Sequence, residues 1–244
     1  MMKAFIGLGR AGKPAIITGF SFNRQSVRGF FRLLFLIILP VMPDANTNFR
    51  LILGSSSPYR KELLARLRIP FDTLAPDIDE TPLPGESPET TAIRLAEQKA
   101  LAVLTEVDQS LVIGCDQVAT LDGIQIGKPG THENALTQLR MMRGREVVFH
   151  TALCLLDGRA GTQLPLQSEN VRTFVRFRDL PDQELDAYLR IEQPYDCAGS
   201  ARNEGLGIAL IESISGTDPT ALTGLPLIAL TAMLRRAGIP FFQG

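Results

Sequence analysis

From Phe49 onward the chain alternates short apolar runs with amphipathic ones. Phe49-Arg-Leu-Ile-Leu-Gly54 reads as a buried strand, and it runs into Ser55-Ser-Ser57-Pro58, where Ser57 can cap a helix and Pro58 suits its first turn. That helix continues to Leu67 with Leu63, Leu64 and Leu67 on one face, and Ile69–Leu74 reads as the next strand. A proline-rich acidic loop (Pro76 to Gly85) follows, then Ser87-Pro88 opens a helix reaching to about Val107. Leu111–Leu121 is a buried strand, Asp122-Gly123 a hairpin turn, and Thr131 caps a helix that stops at Gly144. Arg145–Leu156, a turn at Asp157-Gly158 and a strand ending near Phe177 form a second hairpin. Asp182–Ile191 is a helix, Gly205–Ser213 a strand, and Leu225–Arg236 a helix stopped at Gly238. Strands alternating with helices, with hairpins interposed, predict an α/β protein with a mixed sheet, and no internal repeat of 20–50 residues interrupts that reading.

Residues 1–43 break the pattern. They carry Lys3, Arg10, Lys13, Arg24, Arg28 and Arg32 and no acid, although the 244-residue chain as a whole has a formal net charge of −1. The apolar run Leu33–Met42 is interrupted by Pro40 and is half the length a membrane-spanning helix needs, roughly 20 residues. A basic stretch before a short apolar run imitates a secretory signal, yet no Ala-x-Ala cleavage pattern follows. Gly7-Leu-Gly9-Arg-Ala-Gly12 has the spacing of a dinucleotide-binding turn, but no acid occurs before Asp44 to hold a ribose, which leaves a chance glycine cluster. Residues 1–41 are therefore expected to be an extension outside the fold, a translated upstream leader, and 42–244 the functional domain; an amphipathic surface anchor is the alternative.

Composition narrows the function classes. At 45% hydrophobic and 21% charged residues the chain is globular, and without Trp or an overall basic charge it offers no stacking platform or cationic face for a nucleic-acid polymer. Cys115, Cys154 and Cys197 form no C-x-x-C pair and the only histidines, His132 and His150, lie far apart, so neither a disulfide framework nor a zinc cluster is signalled. A reducing compartment suits such a chain.

Several segments carry chemistry. The turn Gly54-Ser-Ser-Ser57 before a helix can present N–H groups and hydroxyls to a phosphate, with Arg60 one turn inside; equally, its serines can serve only as caps. Lys99 shares a helical stripe with Ala92, Ala96 and Val103, so its ammonium needs an anion, either a protein carboxylate or a ligand phosphate, unless it snorkels to solvent. Asp116 interrupts an apolar strand and must bind a metal, pair with Lys99 or Lys128, or work as a base. Gly127-Lys128-Pro129 is not a P-loop, but it holds a lysine on a stiff loop. Glu80, on the proline-braced loop, supplies a second carboxylate, and with Asp116 it would let a hard cation such as Mg²⁺ bridge protein and phosphates. Two carboxylates, three cations and a phosphate-shaped turn suit metal-assisted attack on a phosphoanhydride.

Leu53-Gly-Ser-Ser-Ser-Pro58-Tyr-Arg60, Asp79-Glu80, Lys99-Ala100, Gly114-Cys-Asp116-Gln-Val118, Gly127-Lys-Pro129 and Ala198-Gly-Ser200 with Glu204-Gly-Leu-Gly207 occur in one order. In that combination the chain resembles the Maf family of nucleotide pyrophosphatases over about residues 49–239. The resemblance implies an elongated mixed sheet with flanking helices and a cleft between two lobes. It implies a cytoplasmic enzyme, commonly a homodimer, that splits a nucleoside triphosphate between its α- and β-phosphates with a divalent cation, Mg²⁺ or Mn²⁺. Asp116 matches the family's proton acceptor, Ser55 and Arg60 its phosphate loop, Lys99 and Lys128 its phosphate-binding lysines, and Glu80, with Asp116, its metal side. Tyr59, Gln117 and Glu204 match the branch acting on 7-methyl-GTP, with Tyr where that branch is expected to have Trp. A branch acting on dTTP or UTP tends to Arg, Thr and Gln there. Physically, an aromatic face can stack on the cationic N7-methylguanine and a carboxylate can offset its charge and accept its N–H bonds. A nucleotide-binding regulator of septum formation, without turnover, is the alternative from a different class.

Overall fold

The structure is a computed structural model and describes residues 49–107, 109–163 and 165–242. The expected extension 1–41, its glycine cluster and the boundary at Met42 lie outside the described residues. No helix among the described residues is long and apolar enough to cross a membrane.

Strands β1 (Arg50–Gly54), β2 (Asp72–Thr73), β3 (Ser110–Leu121), β4 (Ile124–Ile126), β5 (Glu146–Asp157), β6 (Leu166–Phe177) and β7 (Ile211–Gly216) form one mixed sheet among the described residues. Its order is β2-β1-β3-β5-β6-β7, with β4 beside β3. β1 runs parallel to both β2 and β3, because a helix crosses between each pair, and the remaining pairs are antiparallel. Helices α1 (Pro58–Ala65), α2 (Pro88–Leu104), α3 (His132–Met142), α4 (Asp182–Glu192) and α5 (Leu227–Arg236) pack on it.

The helix starts follow the expected chemistry. Ser57, Ser87 and Thr131 each accept a hydrogen bond from the N–H three residues on, and Pro58 and Pro88 occupy first turns. Asp122 and Gly123 both have positive φ, 51° and 79°, the two-residue turn that matches the twist of a hairpin.

Three segments differ from expectation, each for a local reason. The second hairpin does not close at Asp157-Gly158. The Asp157 carboxylate instead gathers Arg159 and the Thr162 hydroxyl, and β6 begins only at Leu166. Gly158 serves close packing, since a Cβ there would lie 2.5 Å from a Leu104 methyl. Leu206–Leu210 coils as a 3-10 turn before β7; its alternation imitates a strand, but Leu206 and Ile208 face solvent and the Leu206 N–H is held by Glu192. Ile69–Leu74 contributes only Asp72–Thr73 to the sheet.

Alternation along β3 then sorts the core. Leu111, Ile113 and Cys115 pack with β1, α1 and α5, whereas Ala119 and Leu121, on the same face, pack with α3 and α4. Gln117 falls between these two clusters. Val112 and Val118 face the other way, against Ala92, Ala96, Ala100 and Val103 of α2. That contact is unusually close: a Cβ on Gly114 would lie 2.0 Å from the Ala96 carbonyl oxygen. Only a glycine opposite an alanine stripe allows it.

Gly114→Ala should therefore force α2 off the sheet. The expected loss is about 3 kcal/mol, read as a lower urea midpoint at unchanged slope.

Candidate active site

Between the end of its pairing with β1 at Gly114 and the start of its pairing with β4 at Ala119, the edge of β3 opens on a cleft of about 570 Å³. Ser55, Tyr59, Arg60, Glu80, Lys99, Asp116, Gln117, Lys128 and Glu204 all line it, so the structure brings every candidate residue named from the sequence to one cavity.

At one end is an ion cluster, with Lys99 and Asp116 buried and Glu80 half exposed. Lys99 reaches from α2 across the close contact at Gly114, and its Nζ lies 2.6 Å from Asp116 Oδ1 and 2.6 Å from Glu80 Oε1. Asp116 is 7% exposed and Lys99 7%, so each needs the other in that strand environment. Partial burial works to raise the Glu80 carboxyl, but the bond to Lys99 and the charges of Lys99, Lys128 and Arg60 outweigh it and hold the group below its usual range. Lys128, on the exposed loop after β4, is thus close enough to act on the Glu80 carboxylate.

Arg60 closes this end. Its Nη1 donates to the Cys115 carbonyl at 2.9 Å and to Ser55 Oγ at 3.4 Å, and its Nε to the Gly224 carbonyl at 3.0 Å. Gly224, at φ 109°, must be glycine for the backbone to turn there, and a Cβ would approach Arg60 Nε to 3.2 Å. The Ser55 hydroxyl also accepts the Ser57 N–H, so the serines cap the turn and line the cleft at once. The Cys115 thiol donates inward to backbone carbonyls, and burial pushes it up to about 11, which removes it as a nucleophile at neutral pH.

The opposite end has a different character. The Tyr59 ring lies beneath the Arg202 guanidinium, 5.8 Å from it, and burial raises the phenol's pKa. Arg202 pairs with Glu192 and Asp196. Glu204 stands close enough to feel these charges; desolvation raises its carboxyl above the ordinary glutamate range, with Glu192 and Asp196 adding to the rise and Arg202 opposing it. Gln117 directs its amide nitrogen into the protein, to Thr151 Oγ1 at 2.9 Å and to the carbonyls of Leu222 and Ala221 at 3.0 and 3.1 Å.

Two supports have no signature in the sequence. Asn203 donates to Thr223 Oγ1 at 3.2 Å and so ties the two sides of the cleft together. The loop carrying Glu80 is stapled to α2 by Arg94, which binds Glu86 through both Nε and Nη2 and also reaches the Thr81 carbonyl. The Arg94 guanidinium holds the Glu86 carboxyl down to about 2. Glu86 and Arg94 are eight residues apart, and a loop-to-helix contact follows no period that a sequence displays.

A divalent cation fits this site through its donors. Glu80 and Asp116 offer hard oxygens converging on one point, and two are too few to cage an ion alone: among the described residues no group of three or more His, Cys, Asp or Glu could do so. Substrate phosphates and water would have to complete the shell.

A family model described as Maf-like protein matches residues 50–237. A protein from Burkholderia thailandensis named 7-methyl-GTP pyrophosphatase is 64% identical over 203 residues, 82% of this chain and 93% of that protein. Another of that name, from Ralstonia nicotianae, is 65% identical over 192 residues, 79% of this chain and 97% of that protein. A solved nucleoside-triphosphatase (dITP/XTP pyrophosphatase) from Mycobacterium abscessus aligns over 80% of this chain and 100% of its own, at 14% identity and a TM-score of 0.40.

Because the folded-state Glu86 carboxyl titrates near 2 in place of the ordinary 4.5, its ionised form stabilises the fold above pH 4.5 and that contribution fades as the pH falls toward 2. Melting temperatures of wild type should fall across this window, and Glu86→Gln should show a smaller fall. At neutral pH the variant should also lose several-fold in turnover through the loosened Glu80 loop.

Proposed function

The chain belongs to the Maf-like protein family, and we propose that it is a pyrophosphatase that hydrolyses 7-methyl-GTP to 7-methyl-GMP and pyrophosphate. The observation that carries this reading is the polarity of the cleft: Arg60, Lys99 and Lys128 with two carboxylates at one end, Tyr59 and Glu204 at the other.

In this reading the triphosphate lies along Ser55, Arg60, Lys99 and Lys128, whose donors offset the charge on the phosphates. Asp116 accepts the proton of the attacking water as the new P–O bond forms and the α–β anhydride bond breaks, with the electron pair leaving on pyrophosphate. Mg²⁺ or Mn²⁺, held by Glu80 and Asp116, would supply further charge neutralisation on the phosphates. Tyr59 offers its ring to the base. Glu204 supplies the negative charge that a cationic N7-methylguanine, unlike guanine, thymine or uracil, requires. Gln117 commits its amide hydrogens to the loop at 221–222, which fixes the cleft wall and leaves its carbonyl oxygen to meet the base. The same proposal takes the enzyme as a cytoplasmic homodimer that acts on free nucleotides, not on a polymer. The buried free thiols of Cys115 and Cys154 suit such a compartment.

Pyrophosphate release from a panel of triphosphates with Mg²⁺ or Mn²⁺ tests this. 7-Methyl-GTP should give the highest kcat/KM; preference for dTTP or UTP overturns the base assignment, and release from none of them favours the non-catalytic regulator.

Glu204 gives a second test. Its carboxyl titrates above the usual range, so it is protonated, and its charge lost, as the pH falls through that raised value. The KM of wild type for 7-methyl-GTP should rise on the acid side, whereas Glu204→Gln should start with a KM about tenfold higher, the equivalent of about 1.4 kcal/mol, and change little with pH.

A further inference from the structure

Lys99 holds the position between Glu80 and Asp116 that a divalent cation bound by both carboxylates would take. Its ammonium sits 2.6 Å from Glu80 Oε1 and 2.6 Å from Asp116 Oδ1, so those oxygens are no more than twice that distance apart. A divalent cation held by those same two oxygens would need the same space between them. An ammonium and a doubly charged ion held by the same two oxygens would lie at contact distance and repel each other.

Building on the pyrophosphatase reading, we propose that Lys99 is an exchangeable placeholder for the metal. Before nucleotide binds, the ammonium holds the two carboxylates together. When the triphosphate binds, Lys99 turns its flexible stem to a phosphate oxygen and releases Glu80 and Asp116, which would then hold the divalent ion. Both ends of the exchange lie within one cleft, lined by Lys99, Glu80 and Asp116 alike. The backbone of Lys99 stays in place because α2 is clamped on Gly114, so only the side chain swings. No net charge is stranded, since each carboxylate passes from one cation to another and the ammonium passes to an anion. It follows that the protein without nucleotide binds metal weakly, because the competent arrangement is a minor fraction of the population.

The test reads metal binding and needs no turnover. Mn²⁺ alone is titrated into the full chain without nucleotide, followed by electron paramagnetic resonance, for wild type, Lys99→Met and Lys99→Gln. Both variants should bind Mn²⁺ at least tenfold more tightly than wild type, and Mn²⁺ should raise their melting temperatures more than it raises the wild type's. Unchanged or weaker binding in the variants overturns the proposal, and is what a merely structural lysine would give, since its loss lets the carboxylates splay. The wild type supplies an independent measurement that does not depend on either variant folding. The ammonium ¹⁵N resonance of Lys99 should shift when Mg²⁺ and an α,β-methylene analogue of 7-methyl-GTP are added together; an unmoved resonance overturns the exchange. If wild type cleaves 7-methyl-GTP but the variants gain no Mn²⁺ affinity, the exchange fails alone. If they gain it and no triphosphate is cleaved, the pyrophosphatase reading fails and the exchange stands.

Discussion

A carboxylate inside an apolar strand is expensive unless a cation meets it, and here the meeting depends on how closely one helix approaches one sheet. Gly114 presents bare backbone to Ala96 and Ala100, α2 settles against β3, and Lys99 is delivered to Asp116. Any side chain at residue 114 would lift the helix and leave both charges buried and apart, an arrangement worth several kcal/mol of destabilisation. The candidate site and the packing of the sheet are in this sense one feature.

The rest of the cleft is arranged around that pair. Alternation along β3 places Asp116 toward α2 and Gln117 toward the opposite face, and both line the cleft where that edge of β3 is paired with neither β1 nor β4. Gln117 then fastens the loop before α5, Asn203 fastens Thr223 across the opening, and Arg94 fastens the Glu80 loop. These are short-range bonds between segments distant in sequence. They fix the distance between the cationic end, which suits phosphates, and the end with Tyr59 and Glu204, which suits a positively charged base. The serine turn divides its roles, with Ser57 capping α1 while Ser55 lines the cleft.

Much of this was legible in the sequence because it rests on local chemistry. Ser57-Pro58, Ser87-Pro88 and Thr131 cap helices as their side chains dictate, and Asp122-Gly123 turns as its backbone preference dictates. Asp116 stood out because a lone acid in an apolar run demands a partner, and Lys99 because a lysine in an alanine stripe does. Other features were invisible. Asp157-Gly158 has the composition of a turn, but a carboxylate that gathers Arg159 and Thr162 opens a loop in its place. Leu206, Ile208 and Leu210 alternate like a strand, and only the long-range bond from Leu206 to Glu192 shows why they coil. The Glu86–Arg94 and Asn203–Thr223 contacts carry no pattern at all, since they are properties of the folded path.

All of the proposed chemistry turns on Asp116 taking the proton from the attacking water. The most direct measurement is the rate of pyrophosphate release from 7-methyl-GTP by Asp116→Asn, a change that keeps the shape of the side chain and removes its basicity. A fall of about 10²–10⁴-fold in kcat, with the fold intact by circular dichroism, is the expected result; an Asp116→Asn enzyme that turns over at the wild-type rate would contradict the account.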